Sequence, residues 1–100
     1  MSVLDFVREG QALVARDVDG ELLAEITFPE TETGEWDVDH TFVSPRLRGQ
    51  GVADRLVRAL LELARSEGKC LIATCPYVRV WSERHPETAD IWTSKADAQE

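Results

Sequence analysis

The fold is decided by the stretch Val43-Ser44-Pro45-Arg46-Leu47-Arg48-Gly49-Gln50-Gly51-Val52-Ala53. It joins an apolar, β-branched segment to an amphipathic helix through a turn that holds two arginines and two glycines. Such a junction directs free backbone N–H groups and the positive end of a helix dipole at one point. The sequence therefore predicts a site for a diphosphate or another compact anion at a strand-to-helix turn.

The residues after this turn have helical periodicity from Gly51 to Glu67, with apolar side chains on one face and charged ones opposite. Gly68 is placed to end that helix. A compact apolar strand follows from Lys69 to Cys75, and a short helix from Tyr77 to His85. Because strand–helix–strand connections are right-handed crossovers, we expect this strand to run parallel to the one before the turn.

Three strand-like runs precede the turn, at residues 11–17, 21–28 and 36–43, and Asp19-Gly20 is a hairpin signal between the first two. The third run alternates, which places His40 on the same face as Trp36, Val38 and Phe42. The predicted order is β-β-β-α-β-α, an α+β fold of a mixed sheet and helices. We expect one domain over residues 1–92 and a flexible tail over residues 93–100.

Charge and composition exclude several classes of protein. The net charge of −8 argues against nucleic-acid binding, which requires a basic surface. No stretch has the length and apolar character of a membrane span, and the first residues do not resemble a secretion signal. Cys70 and Cys75 fall on opposite faces of the predicted strand and should not pair, so we expect a cytoplasmic protein. We also expect the protein to be monomeric or weakly dimeric.

Four stretches in register carry a family resemblance. The segment Arg48-Gly49-Gln50-Gly51-Val52-Ala53, preceded by Val43-Ser44-Pro45, resembles the acyl-CoA-binding motif of the GCN5-related N-acetyltransferases (GNAT). Residues 39–43, 75–78 and 85–87 are similar to the small single-domain branch of that superfamily. The resemblance covers roughly residues 10–92. It implies a minimal GNAT-like fold: an antiparallel meander, the motif helix, a parallel strand and a short C-terminal helix.

The resemblance implies a site for acetyl-CoA. Main-chain N–H groups over the motif would bind the pyrophosphate, and the strand before it would bind the pantetheine arm through its backbone. The residues so implied are Phe42, Val43, Arg48, Gly49, Gln50, Gly51, Val52 and Ala53. Glycine at two of these positions lets the main chain approach phosphate closely. The alternative is a plain strand-to-helix turn, and for Arg46, Arg55 and Arg58 a solvated position is favoured over phosphate contact.

Acetyl transfer to an amine requires that the ammonium lose a proton, the oxyanion be stabilised and the thiolate be protonated. His40 is a candidate base, because histidine is the side chain most often used for proton transfer near neutral pH, or it is a core histidine. Cys75 ends a strand and precedes a helix, where it would be an acyl acceptor, a general acid or a small packing residue. Tyr77 would protonate the thiolate, as in relatives, or pack under Trp81.

No metal site is expected, because Cys70, Cys75, His40 and His85 lack paired zinc-ligand spacing. The predicted function is transfer of an acetyl group from acetyl-CoA to a primary amine, on a protein lysine or N-terminus or on a small amine. The alternative is a non-catalytic or regulatory CoA-binding or acyl-CoA-binding module. A third interpretation, a structural domain that binds no CoA, also stays open.

Overall fold

A computed structural model describes residues 5–93. Its strands are β1 (Val7–Arg8), β2 (Ala12–Arg16), β3 (Leu22–Thr27), β4 (Trp36–Val38), β5 (His40–Val43) and β6 (Leu71–Ala73). Its helices are α1 (Val52–Glu67) and α2 (Pro76–Arg84), with short 3-10 turns at Pro45–Leu47 and Pro86–Thr88. Both helices begin and end within one residue of the predicted bounds.

An antiparallel sheet with strand order β1-β2-β3-β5 forms one side of the molecule. The β2–β3 hairpin turns at the predicted Asp-Gly, where the Gly20 N–H donates to the Asp17 carbonyl at 2.9 Å. β1 was not predicted, because two exposed residues are too few to show a periodic pattern. The antiparallel meander expected from the sequence is confirmed.

The third predicted strand is in fact two strands in two different sheets. β4 pairs in parallel with β6, from Trp36 opposite Leu71 to Val38 opposite Ala73. β5 instead pairs with β3 in the antiparallel direction. Asp39 separates them, and its Oδ1 accepts a hydrogen bond from the Thr27 hydroxyl at 2.5 Å. The parallel crossover is therefore confirmed, but only for the first half of the predicted strand.

The core fixes the start of α1 against the end of β5. α1 buries a stripe of apolar side chains against β3 and β5. That stripe comprises Val52, Leu56, Val57, Leu60, Leu61 and Ala64. Full burial of a valine or leucine side chain contributes roughly 1.5–3 kcal/mol to the free energy of unfolding. On the other side of the core, the rings of Phe28 and Trp36 lie 4.8 Å apart between centroids.

The last described residues run along the free edge of β6. The Leu71 N–H donates to the Ile91 carbonyl at 2.8 Å, and the Thr93 N–H donates to the Leu71 carbonyl at 2.6 Å. Ile91 is buried, as expected of an apolar anchor. Residues 94–100 of the predicted tail lie outside the described residues. Over residues 5–93, neither helix has the length and apolar character needed to cross a membrane.

Candidate active site

A groove of about 190 Å³ lies at the N-terminus of α1, between the motif turn and the start of α2. Its lining residues are Val43, Leu47, Arg48, Gly49, Gly51, Val52, Ala53, Asp54 and Tyr77. All but Leu47 and Asp54 belong to the predicted site. The other predicted residues, Phe42, Gln50, His40 and Cys75, lie outside the lining. The side-chain amide of Gln50 donates to the Arg46 carbonyl at 3.4 Å.

The turn at the end of β5 forms one side of this groove. The Ser44 N–H donates to the Leu23 carbonyl at 2.8 Å and closes the strand, while its hydroxyl accepts from the Arg46 N–H at 3.2 Å. Gly49 and Gly51 then adopt φ angles of 82° and 74°. Because this left-handed region costs an L-residue roughly 1–2 kcal/mol, glycine is favoured at both positions. A Cβ added at either glycine would meet nothing within 4 Å, so the space above both is open.

A run of unpartnered main-chain donors follows this turn, and all of its residues except Gln50 line the groove. The first helical hydrogen bond of α1 joins the Arg55 N–H to the Gly51 carbonyl at 3.2 Å. The N–H groups of residues 49–54 have no acceptor within residues 5–93. Unpaired donors at the positive end of a 16-residue helix form a site for an anion. The geometry thus fits the predicted diphosphate site.

Arg48 is the arginine of the groove lining, and five arginines outside the lining are paired with carboxylates. Carboxylates lie within 3.5 Å of the guanidinium groups of Arg8, Arg16, Arg46, Arg58 and Arg65. Arg48 is exposed, and no carboxylate of the described chain forms a salt bridge with it. Arg48 is therefore available to an anionic ligand although the net charge of the chain is −8.

Beyond the groove the sheet opens between β5 and the start of α2. The parallel ladder ends at the Val38 carbonyl, which accepts from both the Thr74 N–H at 3.1 Å and the Cys75 N–H at 2.9 Å. β5 continues as an edge strand that pairs with β3 alone. Along an antiparallel strand, the N–H and C=O groups of successive residues point alternately toward one neighbouring strand and toward the other side. Because the Ser44 N–H points toward β3, the main-chain groups of Phe42 also point toward β3. The main-chain groups of Thr41 and Val43 therefore point toward the open edge.

Two predicted catalytic residues lie at the start of α2. Cys75 is its buried N-cap, and Cys75 Sγ lies 3.6 Å from Thr41 Oγ1. Tyr77 is 41% exposed and lines the groove, so it does not simply pack under Trp81. Burial, and then the negative charge of Asp54, raise the pKa of the Tyr77 hydroxyl. The hydroxyl is therefore a proton donor at neutral pH.

His40 differs most from its predicted surroundings. Asp39 shifts the alternation by one residue, so the His40 side chain is 55% exposed and does not share a buried face with Trp36 and Val38. The core-histidine interpretation is wrong. His40 Nε2 lies 3.9 Å from Glu25 Oε1, on the face of β5 opposite Thr41. The structure therefore does not bring His40 and Cys75 together.

Asp54 is a lining residue that the sequence analysis missed. Its Oδ1 accepts from the Trp81 indole N–H and its Oδ2 from the Arg58 guanidinium, both at 2.8 Å. The spacing of Asp54 and Arg58, four residues apart on a helix, could have indicated the ion pair. No group of three or more potential metal ligands occurs among the residues that the structure describes.

Comparisons with known proteins place these features in a family. The model of the family described as GCN5-related N-acetyl-transferase matches residues 12–91. The NMR structure of a GCN5-like protein from Staphylococcus aureus is 32% identical, covers 94% of this chain and 92% of its own, and has a TM-score of 0.77. A ribosomal-protein-alanine N-acetyltransferase from Brucella melitensis biovar Abortus 2308 is 35% identical over 73% of this chain and 59% of its own, with a TM-score of 0.53. No curated protein sequence gives a significant match. The chain therefore belongs to the family of GCN5-related N-acetyltransferases.

Proposed function

We propose that the protein is an N-acetyltransferase that passes the acetyl group of acetyl-CoA to a primary amine. The observation that carries this proposal is the groove in which Arg48, the unpartnered N–H groups of residues 49–54 and Tyr77 meet beside the open edge of β5. Membership of the family supports acetyl transfer in general. The acceptor would be a protein lysine, a protein N-terminus or a small amine.

The groove suits the two recognition elements of acyl-CoA. The diphosphate would accept hydrogen bonds from the N–H groups of residues 49–54, and Arg48 would add charge. The pantetheine arm would lie along the open edge of β5, bonded to the main chain of Thr41 and Val43. The side chains of Leu47 and Val52 line the space between. In this arrangement Val43 serves as predicted, whereas the main chain of Phe42 is engaged with β3.

In the transfer step the amine nitrogen bonds to the thioester carbonyl carbon, the C–S bond breaks and the thiolate leaves. The nitrogen loses one proton and the sulfur gains one. Tyr77 would donate the proton to sulfur, because its hydroxyl stays protonated at neutral pH. His40, whose side chain lies on the face of β5 opposite Thr41, would accept the proton from the amine through water.

Cys75 offers a second route. Its sulfur would take the acetyl group from the thioester, with a proton passing to the departing thiolate, and the amine would then attack the S-acetyl group. Thr41 Oγ1, 3.6 Å from the sulfur, would hold the thiol in place. Both cysteines are free, which fits the reducing cytoplasm that we propose as the protein's location.

Titration with acetyl-CoA tests the proposal. We expect Arg48→Glu to weaken binding about tenfold or more, because it replaces a charge-assisted contact with repulsion. Arg84→Glu, at the far end of α2 and outside the groove lining, makes the same charge change and should stay within about twofold of the wild type.

A screen of amines, run with the same proteins, then measures CoA release. Turnover by the wild type that falls in Arg48→Glu supports the enzyme. Binding without turnover of any amine would favour the CoA-binding module, which the separation of His40 from Cys75 also fits. A wild type that binds no acetyl-CoA would overturn both.

A further inference from the structure

Asp54 is the only carboxylate among the described residues that line the groove. It occupies the first turn of α1, and its own N–H is the last of the unpartnered donors of residues 49–54. A carboxylate is favoured there by the helix dipole when the site is empty. The same carboxylate opposes any anion that binds beside it.

Both oxygens of this carboxylate are engaged, which fixes its place and its charge. Oδ1 accepts from Trp81 Nε1 and Oδ2 from Arg58 Nε, both at 2.8 Å. The hydrogen bond from Arg58, followed by the one from Trp81, holds the pKa of Asp54 below its usual range, although burial opposes this. Asp54 is therefore ionised at neutral pH, and because Arg58 lies outside the groove lining, the negative end of this ion pair borders the groove.

The hydrogen bond to Trp81 also joins α1 to α2. Trp81 is buried and lies one helical turn after Tyr77. Its indole stacks on His85 with 3.8 Å between ring centroids, and the Arg58 guanidinium lies 5.5 Å from the centre of the indole ring. The position of Tyr77 at the groove thus depends on an anchor that Asp54 completes.

We propose that Asp54 limits the affinity of the groove for acyl-CoA by repelling the diphosphate, while through Trp81 it positions Tyr77 beside the thioester. The inference rests on the proposed function, since it takes CoA as the ligand. Diphosphate binding is the same in substrate and product, so extra affinity there slows product release without lowering the barrier of the chemical step. A carboxylate that reduces this affinity keeps turnover fast.

Asp54→Asn removes the negative charge while its amide oxygen still accepts from Trp81, and it leaves Arg58 without its partner, as Asp90→Asn leaves Arg65. In about 0.01 M salt, we expect the dissociation constant of Asp54→Asn for CoA to be about threefold to tenfold lower than that of the wild type. In about 1 M salt, the constants of the two proteins should be nearly equal. Trp81→Phe removes the hydrogen bond and keeps the charge. It should lower kcat with the dissociation constant for CoA unchanged within about twofold.

Asp90→Asn is the matched control, since Asp90 pairs with Arg65 outside the groove lining and the variant loses the same charge. Its affinity for CoA should stay within about twofold of the wild type. The inference is overturned if Asp54→Asn binds CoA no more tightly than Asp90→Asn in low salt, or if its gain persists unchanged in high salt. A wild type that binds no CoA would instead overturn the proposed function, and circular dichroism of each variant confirms that it is folded.

Discussion

The two ends of the site are built in different ways. The end proposed to bind the diphosphate, residues 45–54, is one continuous stretch whose contribution is mostly main chain. The end that faces the acceptor combines side chains from β5 and from the start of α2. Those side chains lie on different faces, with His40 exposed and Cys75 buried. Main-chain recognition is therefore complete within a short segment, whereas the chemistry depends on how distant segments meet.

Because the two ends are built differently, we expect substitutions at one end to change mainly the affinity for acetyl-CoA and substitutions at the other to change mainly turnover. A substitution at the diphosphate end should change binding first, and turnover only as a result. A substitution at the acceptor end should change turnover and leave binding of acetyl-CoA nearly intact. Any variant that violates this separation shows that the two ends are coupled.

The largest effect is expected at Gly51. Gly51→Glu forces a left-handed φ on a non-glycine residue and places a carboxylate at the anion site. We expect affinity for acetyl-CoA to fall about 100-fold or more, measured by calorimetric titration.

Gly20→Glu provides the control, because Gly20 has a similar φ of 86° but lies in the β2–β3 turn. It should reduce stability to a similar extent and leave affinity unchanged. Equal loss of affinity in both variants would show that strain, and not the anion site, explains the result.

The next effect is expected at the acceptor end. If Cys75 carries the acetyl group, Cys75→Ala lowers kcat by about 100-fold while the dissociation constant for acetyl-CoA changes by less than about twofold. Rapid-quench assays of CoA release measure the first quantity and titration the second.

Cys70→Ala serves as the comparison, because Cys70 is exposed, whereas Cys75 is buried beside Thr41. It should turn over like the wild type. Full activity in Cys75→Ala would reduce Cys75 to a packing residue against the pantetheine arm and leave His40 as the acceptor-end residue to test, with His40→Gln.

The smallest effect concerns the hairpin that supports the motif turn. Asp17 Oδ1 accepts from the N–H groups of Glu21 and Asp19, both at 2.9 Å, and Oδ2 lies 3.5 Å from Arg46. These contacts, the Glu21 N–H first, lower the pKa of Asp17. Its stabilising contribution is therefore complete above the ordinary value of 3.8 and is lost as pH falls through the lowered value.

Thermal melting across this pH range checks the effect. Asp17→Asn should melt below the wild type at neutral pH, and the difference should narrow in acid. Asp19→Asn, whose carboxylate accepts no hydrogen bond from residues 5–93, should show neither change. Affinity for acetyl-CoA should be unaltered in both, since a change in Asp17→Asn would mean that the hairpin shapes the diphosphate end.

Much of the fold could be predicted because its signals are local. Gly51 and Gly68 bound α1 through their left-handed conformations, and the apolar stripe between them indicates the helix directly. The position of the groove could be predicted for the same reason, since it is lined by the motif itself.

The acceptor end was predicted less well because its arrangement is set by contacts between distant residues. Asp39 divides one apparent strand in two by binding Thr27, twelve residues earlier, and this reverses the face on which His40 lies. The bond between Asp54 and Trp81 spans 27 residues. No periodic pattern in one segment reports such a pair.

The pairing of most arginines with carboxylates confines attraction for an anionic ligand to short range. In about 0.01 M salt, where the Debye length is about 30 Å, an approaching ligand experiences mainly the net charge of −8 until it nears the groove, and Arg48 with its neighbouring N–H groups acts only near contact. The encounter is thus slowed by repulsion, and added salt should raise the association rate constant, the opposite of the behaviour of basic proteins that capture polyanions. Binding of acyl-CoA then depends on the fit of the ligand to the groove at contact distance and not on long-range electrostatic attraction.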